Sequence, residues 1–256
     1  MTDTIINDDC FSVLPQIEDE SIDMILCDLP YGVLDKRLFT WDECIDLKAL
    51  WQHYERIIKP NGAILFFTRQ PFSAKVLMSN PSLYRYEIIW QKEKGSDFGN
   101  IRKKPLNAHE NILVFYKHQP TYNPQMEEGK PYERHSQKTA GLQNYNRRDG
   151  EYHHSNTGYR WPVDVLKFSR DNIKGQGSSL HPTQKPIALL EWLIKSYTNE
   201  GDTVLDPTMG SGSTCVAAKN TGRHYIGIEI DKDYYETAKA RLDNQHAQQK
   251  QEEHSS

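Results

Sequence analysis

Short apolar runs of strand length alternate with amphipathic stretches along most of this chain. The run Ile22-Asp23-Met24-Ile25-Leu26-Cys27 closes on Asp28 and Pro30, the signature of a buried strand and its end. Leu47 to Ile58 repeats apolar residues at helical spacing and stops at Lys59-Pro60-Asn61-Gly62, after which Ala63-Ile64-Leu65-Phe66-Phe67 forms the next strand. A helix is expected over Phe72 to Ser79, then strands over Tyr86 to Trp90 and Asn111 to Tyr116, separated by the basic loop Arg102-Lys103-Lys104. Helix alternating with buried strand predicts a parallel sheet, and two late neighbouring strands predict its antiparallel edge. Further on, Ile187 to Tyr197 is helical, Thr203-Val204-Leu205 is a strand, and a glycine turn leads into a helix from Thr214 to Asn220. A strand over His224 to Ile230 and a last helix from about Tyr234 to Asn244 follow, and the Gln/Glu/His/Ser tail has no packing face and is expected to fray.

Between Gln119 and Leu180 the periodicity dissolves, over a length no ordinary connector needs. Tyr122, Tyr132, Tyr145, Tyr152, Tyr159 and Trp161 are interleaved there with Arg134, Arg147, Arg148 and Arg160, so stacking faces and phosphate-seeking charges occur together. So many aromatics argue against a free linker. Charge sharpens the same division. The chain of 256 residues carries a net −4, but from Arg85 to Lys185 there are 17 Lys+Arg against 11 Asp+Glu, a net of +6, which leaves 14 against 24, or −10, for the rest. A basic middle in an acidic scaffold can dock phosphates, although a lysine-rich surface serves solubility equally well. The length suits one large α/β domain with an insertion. Cys10, Cys27, Cys44 and Cys215 form no CxxC pair, and no leader or long apolar span is present, so a reduced, cytoplasmic, metal-free protein with no membrane association is expected.

Two strings carry the candidate chemistry. Asp206-Pro207-Thr208-Met209-Gly210-Ser211-Gly212-Ser213 follows a strand and turns into a helix, the architecture of a nucleotide-type cofactor site, and Glu229 at the end of the next strand can accept two ribose hydroxyls. The spacing suits NAD or S-adenosylmethionine. The turn lacks a full GxGxxG and begins with an acid, a poor neighbour for a pyrophosphate and a good one for a cationic amino-acid head group; the plain alternative for Asp206 is a helix cap. The other string, Asp28-Leu29-Pro30-Tyr31-Gly32, could be a turn. Its parts also suit methylation of an exocyclic amine, whose lone pair is delocalised into its ring. A carboxylate and a rigid carbonyl can accept the two hydrogens and free that lone pair, Pro30 fixes the Leu29 carbonyl, and Tyr31 offers a stacking face.

With these strings in this order the chain resembles the β-class amino-group DNA methyltransferases, including the compact methylases of phages and prophages, from about Ile5 to Leu242. Asp9-Cys10, Asp28 to Gly32, His109-Glu110-Asn111-Ile112-Leu113, His181-Pro182-Thr183-Gln184-Lys185-Pro186, Asp206 to Ser213 and Gly227 to Glu229 carry the likeness. The resemblance implies a Rossmann-like S-adenosylmethionine-dependent fold, a mixed, mostly parallel sheet with helices on both faces and a circularly permuted motif order. The catalytic half would span 1–118, a target-recognition insertion 119–180, the cofactor half 181–245 and a flexible tail 246–256. It further implies that Asp28, Leu29, Pro30 and Tyr31 hold the target base and that Asp28, Asp206, Thr208, Gly210, Ser211 and Gly212 shape the cofactor pocket. Thr183 and Lys185 would close over it, Glu229 would take the ribose, and Asp9 with Cys10 would lie near the adenine. Arg69-Gln70-Pro71-Phe72 would help form the pocket, while His109 would be structural. The expected reaction is base-flipping N6-adenine methylation of double-stranded DNA, since an acid at the first motif position resembles the adenine enzymes more than the N4-cytosine enzymes. Leu29 stands where many relatives have Pro, which leaves cytosine-N4 as the alternative. A dehydrogenase, a nonenzymatic DNA-binding protein on the same scaffold, and RNA or protein methylation are the other readings; the motif order and the aromatic-basic insertion favour DNA. A second copy of the chain and a cognate restriction endonuclease are the further candidate partners.

Overall fold

A computed structural model describes residues 2–31, 45–136, 152–169 and 184–253. In chain order the elements are β1 Thr4–Asn7, α1 Cys10–Val13, β2 Ile22–Cys27, α2 Leu47–Ile57, β3 Ile58–Thr68, α3 Phe72–Ser79, β4 Tyr84–Ser96 and β5 Asn107–Phe115. Short strands β6 Glu127–Glu128, β7 Tyr132–Ser136, β8 Tyr152–Asn156, β9 Tyr159–Arg160 and β10 Val165–Lys167 follow. Then come α4 Ile187–Tyr197, β11 Thr203–Asp206, α5 Ser213–Asn220, β12 His224–Glu229 and α6 Lys232–Glu253. Eight strands form one sheet in the order β1-β12-β11-β2-β3-β5-β4-β10. Within it every pairing is parallel except those that β5 makes with β3 and β4.

Alternation along the central strands divides the core into two layers. Met24, Leu26, Ala63, Leu65, Phe67, Ile112, Val114 and Val204 face α4, α5 and α6, whereas Ile25, Cys27, Ile64, Phe66, Leu113, Phe115 and Leu205 face α1, α2 and α3. Helix α2 shows how sequence produces this packing. The Asp46 carboxylate caps its start by accepting from Lys48 N (2.9 Å) and Ala49 N (3.2 Å), and Leu50, Trp51, Tyr54 and Ile57 recur at helical spacing on the buried side.

The fold class is the expected mostly parallel sheet with helices on both faces, with three local differences. Lys59-Pro60-Asn61-Gly62 does not separate helix from strand; β3 begins at Ile58, and the four residues form a bulge, because Ile22 pairs with Ile58 but Met24 pairs with Ala63. The bulge lets Lys59 Nζ reach both Asp23 oxygens (2.7 and 2.8 Å), and Asp23 also accepts Thr203 N at 2.9 Å. The sheet edge is not the antiparallel pair: β10 lies parallel outside β4, a strand of three residues in which Leu166 alone is buried and which therefore leaves no alternating signal. Helix α6 continues to Glu253 through residues such as Ala, Gln, Lys and Glu, good helix formers that need no packing face to extend a turn already started.

Residues 124–163 form a compact unit distinct from the rest of the chain. It is built from two antiparallel pairs, β6 with β9 and β7 with β8. Arg160 ties it together: the guanidinium lies 4.8 Å from the Tyr132 ring centroid and donates to Asn156 Oδ1 and the Lys130 carbonyl. Tyr145, Arg147 and Arg148 lie outside the described residues.

Gly227 of β12 is a packing constraint. A Cβ there would stand 2.4 Å from Met209 Sδ and 2.6 Å from Cys215 Sγ. Gly227→Ala is therefore expected to overpack the sheet against the Met209 turn and lower stability by about 1–3 kcal/mol; urea denaturation of the two proteins measures it.

Candidate active site

Strands β1, β12, β11 and β2 run parallel, so their carboxyl ends share one edge. From β2 the chain winds outward through β3, and from β11 it winds the other way through β12. The order thus reverses between β11 and β2, where open α/β sheets leave a crevice for ligands. The two sequence strings meet there. Leu205 pairs with Ile25, which brings Thr208 level with Asp28, and the Thr208 hydroxyl donates to the Asp28 carbonyl at 3.2 Å.

The Asp28 carboxylate is engaged on both oxygens. The Tyr31 hydroxyl donates to Oδ1 at 2.8 Å, and the Lys185 ammonium is ion-paired with Oδ2. Lys185 also lies 3.3 Å from Glu110 Oε2, and Lys92 ion-pairs with the other oxygen of Glu110. A nearly continuous buried row of alternating charge results: Lys92, Glu110, Lys185, Asp28. Burial pushes the Asp28 pKa up, and Lys185 opposes that rise only in part. Burial alone would raise Glu110 as well, but Lys185 and Lys92 together hold it below the ordinary carboxylate range. For Lys185 burial acts downward, and Asp28 with Glu110 outweighs it, so the ammonium stays charged. The Lys185 ammonium sits 5.1 Å from the Phe67 ring centroid, and Lys92 is equally far from Trp90. Asp28 keeps 23 % of its side chain exposed, which leaves a way in for a ligand.

Tyr31 is set by α3. Its ring stacks on Phe72, a buried side chain of the α1–α2–α3 layer, with centroids 5.0 Å apart and an interplanar angle of 27°. Leu29 has its side chain in the α1–α2–α3 core, which anchors the motif backbone between Asp28 and Pro30.

The second string is a turn held by its neighbours. Asp206 is buried at the end of β11; Oδ1 accepts Thr208 N at 3.1 Å and the Thr214 side chain, in the first turn of α5, bonds the same carboxylate, while the N-cap position of α5 is Gly212. Burial pushes the Asp206 pKa up to about 7, with Asp28 and Glu229 adding to the rise against the two hydrogen bonds. Gly210 donates its N–H to Glu229 Oε2 at 2.8 Å, and Asp231 N donates to Oε1 at 2.8 Å. Gly212 adopts φ +77°, and a Cβ there would stand 2.8 Å from Ala238 Cβ, so only glycine fits the turn against α6. Ser211 turns toward α6, where Arg241 donates to its carbonyl (2.5 Å) and hydroxyl (3.1 Å).

The other expected residues have these places. Asp9 is the N-cap of α1, accepting Phe11 N at 2.9 Å, and the Cys10 thiol beside it is buried with its pKa pushed up to about 12 by burial and Asp9. Lys185, expected over the cofactor, has its ammonium on Asp28. Gly32 and Thr183 lie outside the described residues. In the sequence Glu110 stands out only within His109–Leu113, and Lys92 not at all; the signal is their phase, since Glu110 shares a strand face with Ile112 and Val114, and Lys92 with Ile88 and Trp90, faces otherwise given to the core.

Glu110→Ala would remove the carboxylate between two buried ammonium groups, and a loss of about 3–5 kcal/mol is expected. Because the Glu110 pKa is depressed in the folded state, its contribution is full above the ordinary carboxylate range and is lost as pH falls through the lowered value. The difference between variant and parent in urea denaturation should therefore shrink from pH 7 to pH 3.

Comparison with known proteins agrees with this geometry. The chain is 29 % identical over 256 residues to the type II methyltransferase M.HpaI of Haemophilus parainfluenzae, covering 96 % of this chain and 76 % of that protein. It is 28 % identical to the type II methyltransferase M2.LlaDCHI of Lactococcus lactis subsp. cremoris, covering 93 % and 88 %. The solved complex of M1.HpyAVI with SAM superimposes with a TM-score of 0.61 at 27 % identity, over 93 % of this chain and 98 % of that one. The fold is shared with the cytosine-N4-specific PvuII DNA methyltransferase at a TM-score of 0.66 and 17 % identity, over 93 % and 85 %. Residues 22–240 match the profile of the N6/N4 methyltransferases, described as DNA methylase, and with most of its length inside that match the chain belongs to this family.

Proposed function

We propose that the protein transfers a methyl group from S-adenosylmethionine to the exocyclic N6 amine of adenine in duplex DNA, with the target base swung out of the stack. One observation carries the reading: at the point where the strand order reverses, a carboxylate paired to a buried lysine stands beside an acidic glycine turn.

The residues at the turn fit the cofactor. Asp206 and Glu229 are buried acids, and the groups bonded to them among the described residues are neutral donors, a set that attracts a cationic head group and a ribose diol and repels a pyrophosphate. Gln184 Oε1, next in the chain to Lys185, is buried without a hydrogen-bond donor among the described residues. S-adenosylmethionine supplies a methyl group activated by a positively charged sulfur. Asp206 would then hold the amino-acid end, Thr208, Gly210, Ser211 and Gly212 shape the turn around it, Glu229 take the ribose, and Asp9 and Cys10 border the adenine.

On the base side, Asp28 accepts one hydrogen of the amine and the Leu29 carbonyl the other, which localises the nitrogen lone pair for attack. The carboxylate has lone pairs beyond the two in use, and the Tyr31 hydroxyl can yield Oδ1 to the base while its ring, backed by Phe72, provides the stacking face. Lys185 favours the ionised form of Asp28 against the upward push of burial, and that push suits the carboxylate to take the proton that the amine releases. The acidic first residue of the motif supports adenine over cytosine. The unit of residues 124–163 exposes Tyr132, Tyr159 and Trp161 and serves target recognition.

Tritiated methyl transfer to unmodified DNA tests the catalytic assignment. Asp28→Ala should lower the rate by at least about a hundredfold, equal rates would overturn the role, and nucleoside analysis of the product should show N6-methyladenine rather than N4-methylcytosine. Cofactor affinity should also depend on pH. Asp206 is protonated below about pH 7 in the free protein, and a cation beside it favours the ionised form. Affinity measured by calorimetry should therefore weaken as pH falls from 8 to 6, with proton release on binding at the lower pH, and Asp206→Asn should flatten the profile.

A further inference from the structure

The tip between β4 and β5 leaves the same edge of the sheet as Asp28. Thr68, the last residue of β3, pairs with Asn111, and β5 begins at Asn107, so the tip starts about 13 Å beyond that level at ~3.3 Å per residue. Cys27 of β2 pairs with Phe66 of β3, and Phe66 with Leu113 of β5, so the tip rises from the strand end next but one to the one that carries Asp28.

The tip is an ordered knuckle. Asn100 N donates to Asp97 O at 3.0 Å, and Lys103 N and Lys104 N to Asn100 O at 2.8 and 3.1 Å. Asp97, at φ 76°, accepts Asn100 Nδ2 (2.8 Å) and Asn107 Nδ2 (3.2 Å) and pairs with Lys104 at 2.5 Å. Leu106 closes over Gly95, where a Cβ would stand 2.6 Å from Leu106 Cβ. With its backbone so well satisfied, the knuckle presents Phe98 (65 % exposed) and Ile101 (59 %) to solvent, and Arg102 and Lys103 are exposed beside them. Two large apolar side chains left side by side in water forgo the free energy of burial that a partner covering them would supply. The adjoining cations identify that partner as polyanionic, and the common edge with Asp28 identifies it as the duplex from which the base is taken.

We propose that residues 97–106 are a DNA wedge: Phe98 and Ile101 press between base pairs beside the extruded base, and Arg102 and Lys103 hold the neighbouring phosphates. The proposal rests on the methyl-transfer reading of the site but is tested separately from it. Lys104 stays in place in the variants because it braces Asp97. Binding of the full chain to a fluorescein-labelled 30-base-pair duplex is followed across salt concentrations. Arg102→Ala/Lys103→Ala should reduce the slope of log affinity against log salt by about 2, close to one unit per phosphate contact. Phe98→Ala/Ile101→Ala should leave the slope unchanged but lower kcat/KM for unmodified genomic DNA at least tenfold, with calorimetric affinity for S-adenosylmethionine at the parent value. Parent-like slope and kcat/KM in both variants would overturn the wedge, as would a parent dimer in sedimentation that Phe98→Ala/Ile101→Ala converts to monomer. If the parent methylates no DNA and the slope still falls, the wedge surface stands and the methyl-transfer reading fails.

Discussion

The buried charge row from Lys92 through Glu110 and Lys185 to Asp28 is the constraint around which the site is organised. It draws on three distant parts of the chain: the end of β2, the facing strands β4 and β5, and the segment that enters α4. Desolvation opposes each charge singly, and only the alternation of signs makes the set tolerable. The consequence is directional. Asp28 stays beside its lysine, its Oδ1 side turned to Tyr31, because a swing away would leave the two ammonium groups of the row sharing the single carboxylate of Glu110.

The sheet supplies what such a row needs. Parallel strands bring Asp28 and Asp206 to neighbouring ends without any direct bond between the carboxylates, and the Thr208 hydroxyl links the two motifs through the Asp28 carbonyl. The reversed strand β5 matters for a different reason. Running against β3 and β4, it brings Glu110 near the strand end that carries Asp28, and the segment that precedes it, between β4 and β5, stands as a tip beyond that edge. One topological irregularity thus provides both the counter-ion of Lys185 and the knuckle at 97–106.

Much of this was legible in the sequence because it is local. Strand ends that close on Asp28 and Asp206, glycines that bend a turn, and helical spacing over Ile187–Tyr197 are each written within ten residues or so. What was not legible depends on pairing between distant segments. The bulge at Lys59–Gly62 exists because Lys59 answers Asp23, and β10 exists because β4 offers a free edge to three residues. The Lys185 contact with Asp28 crosses most of the chain, so a resemblance could bring both residues into one site but could not show that they touch. Glu110 and Lys92 were visible in principle, as charges at core-facing phases of two strands, a pattern with no reason to persist unless the charges meet.

The two acids at the centre differ in one respect, and the difference orders their roles. Asp28 has a lysine of its own, which opposes the upward pull of burial and keeps the carboxylate able to accept hydrogen bonds before any ligand arrives. Asp206 has, among the described residues, only neutral donors and the nearby carboxylates of Asp28 and Glu229, and its pKa stands near neutrality. An acid left in that state is stabilised by a cation brought from outside. In the function proposed above, a cationic cofactor head group would supply that charge, and Asp206 would ionise against it.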